Sequence, residues 1–214
     1  MAEHVSPFRG LLEPLLTKIP FSLNADQISR LERHYELLLR WNQRINLTSI
    51  RDPSEIVRRH FGESLYLASQ VSNEPGSVVD VGSGAGFPGV PLAVAFPDLR
   101  VTLAESRAKK AAFLKESCRE MKNVTVFLGR WEELEGAFDW CVARAVGALG
   151  LLDAARRKCR RVALLVGKQG AKEVLGIEGF IWRPARHLPW ISDTQLVVGE
   201  VSGYVPRETN VCDS

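Results

Sequence analysis

Between Val78 and Pro91 the chain reads V-V-D-V-G-S-G-A-G-F-P-G-V-P, an apolar strand that runs directly into a loop with glycine at positions 82, 84, 86 and 89. That density of glycine exceeds what a plain strand-to-helix turn needs. Glycine has no Cβ, so it accepts positive φ and lets a ligand lie against main-chain N–H groups, best of all where a helix then begins with its positive end toward that ligand. The loop is therefore expected to hold a nucleotide-type molecule. Asp80 lies in the strand just before the glycines, and Glu105 ends the next apolar run, V-T-L-A-E. Two acids and a glycine loop can surround one adenosine.

The periodicity on either side of this loop sets the fold class. Short β-branched runs at Val78 to Val81, Arg100 to Ala104, Val124 to Leu128, Trp140 to Ala143 and Arg161 to Val166 alternate with helical segments. That alternation predicts a parallel sheet covered on both faces, an α/β fold. Upstream, apolar residues recur at helical spacing from Asn24 to Leu47 (Ile28, Leu31, Tyr35, Leu38, Leu39, Trp41, Ile45), with Asn24 or Asp26 as cap. A second helix is expected from Asp52, with Pro53 first, Glu55 third, and Ile56, Phe61, Leu65 and Leu67 on one side. Asn73-Glu74-Pro75-Gly76 breaks the pattern. Residues 1–75 are thus expected to form a helical extension packed on a sheet domain of residues 76–214, the two making one structural unit. Beyond Gly179, Ile181-Trp182 and Gln195 to Val201 read as late strands, a terminal hairpin closing the sheet edge.

With 214 residues the chain can bury one substantial core. No apolar run approaches the ~20 residues that span a bilayer, and the N-terminal F-R-G-L-L-E-P-L-L is too broken by Glu13 and Pro14 for an export signal. Cys118, Cys141, Cys159 and Cys212 form no C-x-x-C pair and have no His partners at zinc spacing, so neither a disulfide framework nor a metal is expected, and a cytoplasmic location is. Cys141 reads as a small core residue. Net charge is only +3, but basic residues cluster at Arg58-Arg59-His60, at Arg107 with Lys109-Lys110, and from Arg156 to Arg161. Such clusters suit phosphates, and equally a solvated helix face.

Three readings of the glycine loop stand side by side. Gly84 to Gly89 matches G-x-G-x-x-G, with Glu105 where a ribose-binding acid falls in an NAD-dependent oxidoreductase. The glycines begin earlier, at Gly82, and Asp80 sits at the strand end, where a carboxylate suits a cationic cofactor such as S-adenosylmethionine better than a pyrophosphate. The third reading is a turn that binds nothing.

Six further blocks bear on the choice: W-N-Q-R-I-N-L-T-S-I-R-D-P (41–53), R-H-F-G-E-S (59–64), D-V-G-S-G-A-G-F-P-G-V-P-L-A (80–93), K-K-A-A-F-L (109–114), F-D-W-C-V-A-R-A (138–145) and V-G-K-Q-G (166–170). In this order they resemble the glucose-inhibited division protein B family, bacterial methyltransferases acting on guanine N7 of 16S ribosomal RNA. The resemblance implies a Rossmann-like seven-stranded S-adenosylmethionine-dependent methyltransferase sheet with a helical N-terminal extension, and 16S rRNA or the small ribosomal subunit as partner of a monomeric enzyme. By matching position it implies that Gly82 and Phe87 line the cofactor, beside the Asp80, Gly84 and Gly86 that the loop itself points to, that Glu105 takes the ribose hydroxyls and that Trp131-Glu132 flank the adenine. Arg144 would stand at both cofactor and substrate, and Lys168 and Arg130 would handle RNA. Two departures stand out: Glu63 and Glu105 replace aspartates, and a late E-R-H-L-V segment appears as Asp193-Thr194-Gln195-Leu196-Val197, without its arginine.

The chemistry agrees with what the sequence omits. Guanine N7 presents a bare lone pair, so methyl transfer needs no general base or covalent nucleophile, and alignment can supply about 7 to 11 kcal/mol. No Asn/Asp-Pro-Pro-Tyr or Pro-Cys motif is present. His60 is accordingly expected to anchor the helical extension to the sheet. Phe87, Trp131 and Trp140 are the aromatics able to stack on a base, with core packing the default for Trp140. A cofactor-binding, ribosome-associated protein without activity stays open beside the enzyme.

Overall fold

The computed structural model describes residues 6–71, 76–144 and 148–204; Asn73 to Pro75 and Cys212 lie outside them. Helix α1 (Pro7–Leu16) is capped by the Ser6 hydroxyl, and α2 (Ala25–Asn42) by a reciprocal box in which Asn24 accepts from the Gln27 N–H and Gln27 from the Asn24 N–H. Although the periodicity carries α2 on to Leu47, the helix stops at Asn42. Its side chain supplies the reason: Asn42 Oδ1 accepts from the N–H groups of Leu47 and Thr48, at 2.9 and 3.1 Å, and Nδ2 donates to the Thr48 carbonyl. The chain folds back over its own asparagine, offering the backbone an alternative to the helix. After Asp52 caps α3 (Pro53–Glu55), the helix widens into a π-helical stretch, Ile56–Gly62, and continues as α4 (Glu63–Ala68).

The sheet begins with β1 (Gly76–Val81), joined through α5 (Gly89–Ala95) to β2 (Leu99–Glu105), through α6 (Ala108–Ser117) to β3 (Val124–Leu128), and then by way of a 3₁₀ turn at Trp131–Glu133 to β4 (Phe138–Arg144). Helix α7 (Ala148–Lys158) leads to β5 (Cys159–Gly167), and α8 (Lys168–Leu175) to β6 (Phe180–Trp182), β7 (Arg186–Leu188) and β8 (Ile191–Val201). The order is β3-β2-β1-β4-β5-β8-β6, parallel through β5, with β8 antiparallel to both neighbours and the three-residue β7 paired to it. The late strands therefore do more than close an edge, because β8 sits inside the sheet and β6 forms the margin.

Alternation along the strands divides the apolar residues between two cores. Val78, Leu103, Trp140, Val142 and Leu165 face the layer of α1, α2, α4, α5 and α6, whereas Val79, Cys141, Ala143 and Leu164 face α7 and α8. The extension and the sheet thus share a single apolar core. Phe61 is its keystone: fully enclosed, it meets the rings of Phe8 and Phe87 edge-on at 5.0 Å each and Tyr35 at 6.1 Å. Among the described residues no helix is long and apolar enough to cross a membrane.

Truncating Phe61→Ala removes the contact that ties three elements together and is expected to cost about 3 to 5 kcal/mol in urea denaturation. A loss below about 1 kcal/mol would show that the extension is not built on this ring.

Candidate active site

Strand order reverses between β1 and β4, and in an open parallel sheet such a switch point leaves a crevice outside the carboxyl ends of the strands. Gly82, Glu105, Arg144 and Lys168 follow or end β1, β2, β4 and β5, so the topology brings all four to that edge. Gly82, Gly84 and Gly86 have φ of 68°, 56° and 87°. The Gly84 N–H donates to Glu105 Oε2 at 2.9 Å, and the Arg107 N–H to Oε1 at 2.8 Å, so Glu105 pins the loop to the end of β2. Each carboxylate oxygen keeps a lone pair for a further donor.

The four glycines do two different jobs. A Cβ on Gly84 would meet only the Gly82 carbonyl oxygen at 3.6 Å and Lys110 Nζ at 3.9 Å, whereas one on Gly86 would strike Val90 Cγ2 at 2.7 Å and crowd His34 Cε1 at 3.1 Å. On Gly89 it would lie 2.3 Å from Leu103 Cδ2 and 2.6 Å from Asp80 Oδ2. Gly82 is exposed, its N–H given to the Ala104 carbonyl at 2.9 Å, and Gly84 leaves room beside its backbone. Gly86 and Gly89 let the protein pack against itself.

Three residues expected to face the cofactor are turned inward. Asp80 is wholly enclosed: Oδ2 accepts from the Gly89 N–H at 3.0 Å, Oδ1 has no partner, and burial pushes its pKa up to about 7 against the pull of that bond. It anchors the start of α5 instead of meeting a cation in the crevice. Phe87 is enclosed as well, its ring stacked on His60 at 4.8 Å and 14°. Trp131 packs in the core under α7, with Lys158 Nζ 5.7 Å from the centre of its ring, which leaves exposed Glu132 and Arg130 beside it as the groups facing outward. Asp80 lies in β1, where burial on both faces hides which way a side chain points, and Phe87 and Trp131 lie in turns, where no periodicity tells it.

Arg144 is the centre of the polar structure. Its Nη1 donates to the Arg59 carbonyl at 2.6 Å and to His60 Nδ1 at 2.7 Å, and its Nη2 lies 3.1 Å from Glu63 Oε2. Glu63 is fully buried, and Oε1 accepts from the Thr194 hydroxyl at 3.1 Å. Burial drives the Glu63 carboxyl above the usual carboxylate range while Arg144 and Thr194 pull it back. His60 Nε2 lies 2.8 Å from Thr48 Oγ1. Because an arginine can only donate, Nδ1 must be the bare nitrogen and Nε2 must carry the proton, given to Thr48. Burial and the neighbouring Arg144 lower the His60 pKa to about 3. Thr194, where the resemblance leads to an arginine, holds Glu63 in place, and neighbouring Asp193 pairs with Arg59 at 3.1 Å.

Lys168 opens α8 on the exposed rim of the crevice. The basic run is spent largely on the fold itself. Arg157 pairs with Asp153 at 2.8 Å, Arg156 lies over Phe180, Lys158 donates to the carbonyls of Glu132 and Leu134, and Arg161 reaches Glu200 at 3.4 Å and the Trp140 ring. Among the described residues there is no cluster of three or more His, Cys, Asp or Glu able to hold a metal.

Sequence reasoning missed His34. From α2 it accepts from the Ser117 hydroxyl at Nδ1 and donates from Nε2 to the Ala85 carbonyl at 3.0 Å, so the helical extension grips the glycine loop directly. Burial lowers its pKa to about 4. The available signal was a titratable residue set in the apolar stripe Leu31, His34, Tyr35, Leu38.

A family model described as rRNA small subunit methyltransferase G matches residues 27–174. The ribosomal RNA small subunit methyltransferase G of Lactococcus lactis subsp. lactis (strain IL1403) is 39% identical over 147 residues, 64% of this chain and 62% of that protein. The protein of the same description from Nitrosomonas europaea is 49% identical over 125 residues, 56% of this chain and 58% of that one. The match thus spans less than two thirds of the length of these relatives. Among solved structures, Aeropyrum pernix fibrillarin, determined with natively bound S-adenosyl-L-methionine, has the same fold, with a TM-score of 0.50, 16% identity, and coverage of 59% of this chain and 66% of that one.

The two classes of glycine predict different penalties. Gly89→Ala must displace Leu103 or Asp80 and is expected to cost about 3 kcal/mol or more, whereas Gly84→Ala carries only the left-handed strain of about 1 to 2 kcal/mol. Urea midpoints that place Gly84→Ala as the more damaging change would refute the division. The His60 ring should stay neutral in the Nε2–H tautomer from pH 8 down to about 4.5, read from its ¹⁵N chemical shifts. Since the unfolded chain protonates this ring near 6.5 and the folded one near 3, the stability it contributes is present above pH 6.5 and is lost as pH falls toward 3. A ring titrating near 6.5 in the folded protein would contradict the network.

Proposed function

The chain belongs to the GidB family, rRNA small subunit methyltransferase G, and we propose that it methylates guanine N7 in 16S rRNA of the small ribosomal subunit, with S-adenosyl-L-methionine as donor. The observation that carries this reading is the pairing of open backbone at Gly82 and Gly84, tied to Glu105, with Arg144 framed at the same sheet edge. The residues present fit that cofactor. Exposed Gly82 and half-buried Gly84, without side chains, would let it lie against the backbone, Glu105 has lone pairs left for ribose hydroxyls, and exposed Glu132 would stand by the adenine end. The cofactor, when bound, supplies a methyl group on a sulfonium, already activated for transfer.

What remains for the protein is alignment. Guanine N7 needs no deprotonation, and His60, neutral and committed to Arg144 and Thr48, is not placed to act as a base. Both N–H groups of Arg144 Nη1 are hydrogen-bonded within the protein and Nη2 faces Glu63 Oε2 at 3.1 Å, which leaves the Nε–H and one Nη2 N–H for the substrate. A grip on N7 itself would occupy the attacking lone pair, so these two serve O6 of the base or a neighbouring phosphate. Arg130 after β3 and Lys168 after β5 lie exposed with three strands between them, Arg107 and Lys109 at the head of α6 are exposed as well, and these residues supply point charges for the RNA backbone. In this reading residues 1–75 and 76–214 work as one structural unit, and the working enzyme is a monomer in the cytoplasm.

The dinucleotide reading of the loop gains no support. In a G-x-G-x-x-G fold the pyrophosphate approaches the second glycine closely; here that position is Gly86, covered by His34 and Val90.

Purified protein incubated with methyl-labelled S-adenosylmethionine and small subunits lacking the modification is expected to place label at one guanine N7 of 16S rRNA, mapped by nuclease digestion and mass spectrometry. Cofactor binding without label on any rRNA would overturn the assignment. Lys168→Ala should weaken subunit binding and reduce the slope of log affinity against log salt by about 1, leaving cofactor affinity unchanged; an unchanged slope would remove Lys168 from the RNA interface.

A further inference from the structure

We propose that His60 is a positioning residue for Arg144, and that Thr48, delivered by the loop folded over Asn42, accepts the Nε2 proton and so holds the ring in the form in which it can serve. The proposal rests on the reading of Arg144 as the substrate-facing group.

Three groups frame the guanidinium: the Arg59 carbonyl, which accepts from Nη1, Glu63 Oε2, a counter-charge 3.1 Å from Nη2, and His60 Nδ1, which accepts from Nη1. The first two act in any protonation state of the histidine. The third accepts only when Nδ1 is bare, and an isolated neutral imidazole divides its proton between two nitrogens. Arg144, which can only donate, selects the form with Nδ1 bare, and the Thr48 hydroxyl, which also accepts from the Ile50 N–H at 3.2 Å, keeps a lone pair for the proton this leaves on Nε2. Asn42 holds both the N–H and the carbonyl of Thr48, so the hydroxyl is fixed from behind. The plane of the ring is fixed separately by its stack on Phe87, the residue that closes the glycine loop. Position, plane and tautomer are therefore set by three different parts of the chain, and all three converge on one acceptor for Nη1 of Arg144.

The charged and titratable groups facing the ring are Arg144 from β4, Arg59 on its own helix and His34 from α2, with Glu63 on the far side of the guanidinium. The three cationic or titratable neighbours all oppose a positive charge on His60, which favours the bare Nδ1. An imidazolium here would present N–H to N–H and push Arg144 off its frame. In this way the N-terminal segment, remote from the glycine loop in sequence, takes part in aiming the substrate-facing arginine.

The test uses the full-length chain with His60→Phe, His60→Gln and Thr48→Val. Phenylalanine keeps the stack on Phe87 but cannot accept from Arg144, whereas glutamine can both accept from Arg144 and donate to Thr48. Expected is a fall in single-turnover methyl transfer of about 10²-fold for His60→Phe, as for a misplaced reacting group, with substantial recovery in His60→Gln and unchanged cofactor affinity in both. Thr48→Val leaves the Nε2–H without its acceptor and should show a changed Nε2 ¹⁵N shift and a slower rate. In parallel, the Arg144 Nη resonances of ¹⁵N-arginine-labelled protein should shift in His60→Phe and return toward the wild type in His60→Gln. Unchanged Nη resonances in His60→Phe, or a His60→Gln enzyme as slow as His60→Phe, would overturn the proposal. Should the wild-type protein methylate no rRNA, the functional reading fails by itself, and the Nη resonances still decide whether His60 positions Arg144.

Discussion

Everything at the sheet edge is arranged around a charge pair that water scarcely reaches, Glu63 with Arg144. Glu63 has no exposed surface and the Arg144 side chain is 17% exposed, so both ions are almost stripped of solvent. Taking two such charges from water costs several kcal/mol each, which the protein recovers only through close pairing and further hydrogen bonds. Those bonds come from distant places: the Thr194 hydroxyl from β8, the Arg59 carbonyl from the π-helical stretch, and His60, steadied from the other side by Thr48. The widened helical turn places the Arg59 carbonyl and the His60 ring together at the guanidinium. The cost of an unpaired ion forces the N-terminal helices, the central strand and the C-terminal strands to meet at one point, the point a substrate would approach.

A second constraint shapes the loop beside it. Gly86 and Gly89 are glycines because His34, Val90, Leu103 and Asp80 occupy the space a side chain would need, and this internal packing holds Gly82 and Gly84 open. Scaffold and binding surface alternate within one short run. Phe87 and His34 couple that run to the helical extension through ring contacts and the bond to Ala85. A change in α2 is thereby a change in the loop.

Much of this was legible in the chain. Short β-branched runs separated by helices gave the parallel sheet, and the glycines at 82 and 84 with Glu105 fall at the carboxyl ends of its first two strands. The reach of local pattern ends where a polar side chain chooses a remote partner. Asn42 ends α2 against the periodicity by bonding to Thr48, and the bonds His34 to Ala85 and Thr194 to Glu63 join residues 51 and 131 positions apart. Asp80, Phe87 and Trp131 mislead for another reason. In a sheet covered on both faces, inward and outward positions have the same apolar neighbours, and a turn has no periodicity, so sequence alone does not say which side chains open into the crevice.

The most direct measurement is a double-mutant cycle by urea denaturation on Glu63→Gln and Arg144→Met. Each single change strands a buried ion or its partner, so each should be costly, whereas removing both together relieves the stranded charge. The structure predicts a coupling energy above about 1 kcal/mol, outside the range of independent sites. Additive losses would mean that the pair does not organise the sheet edge, and the unity of extension, loop and arginine argued from it would fall.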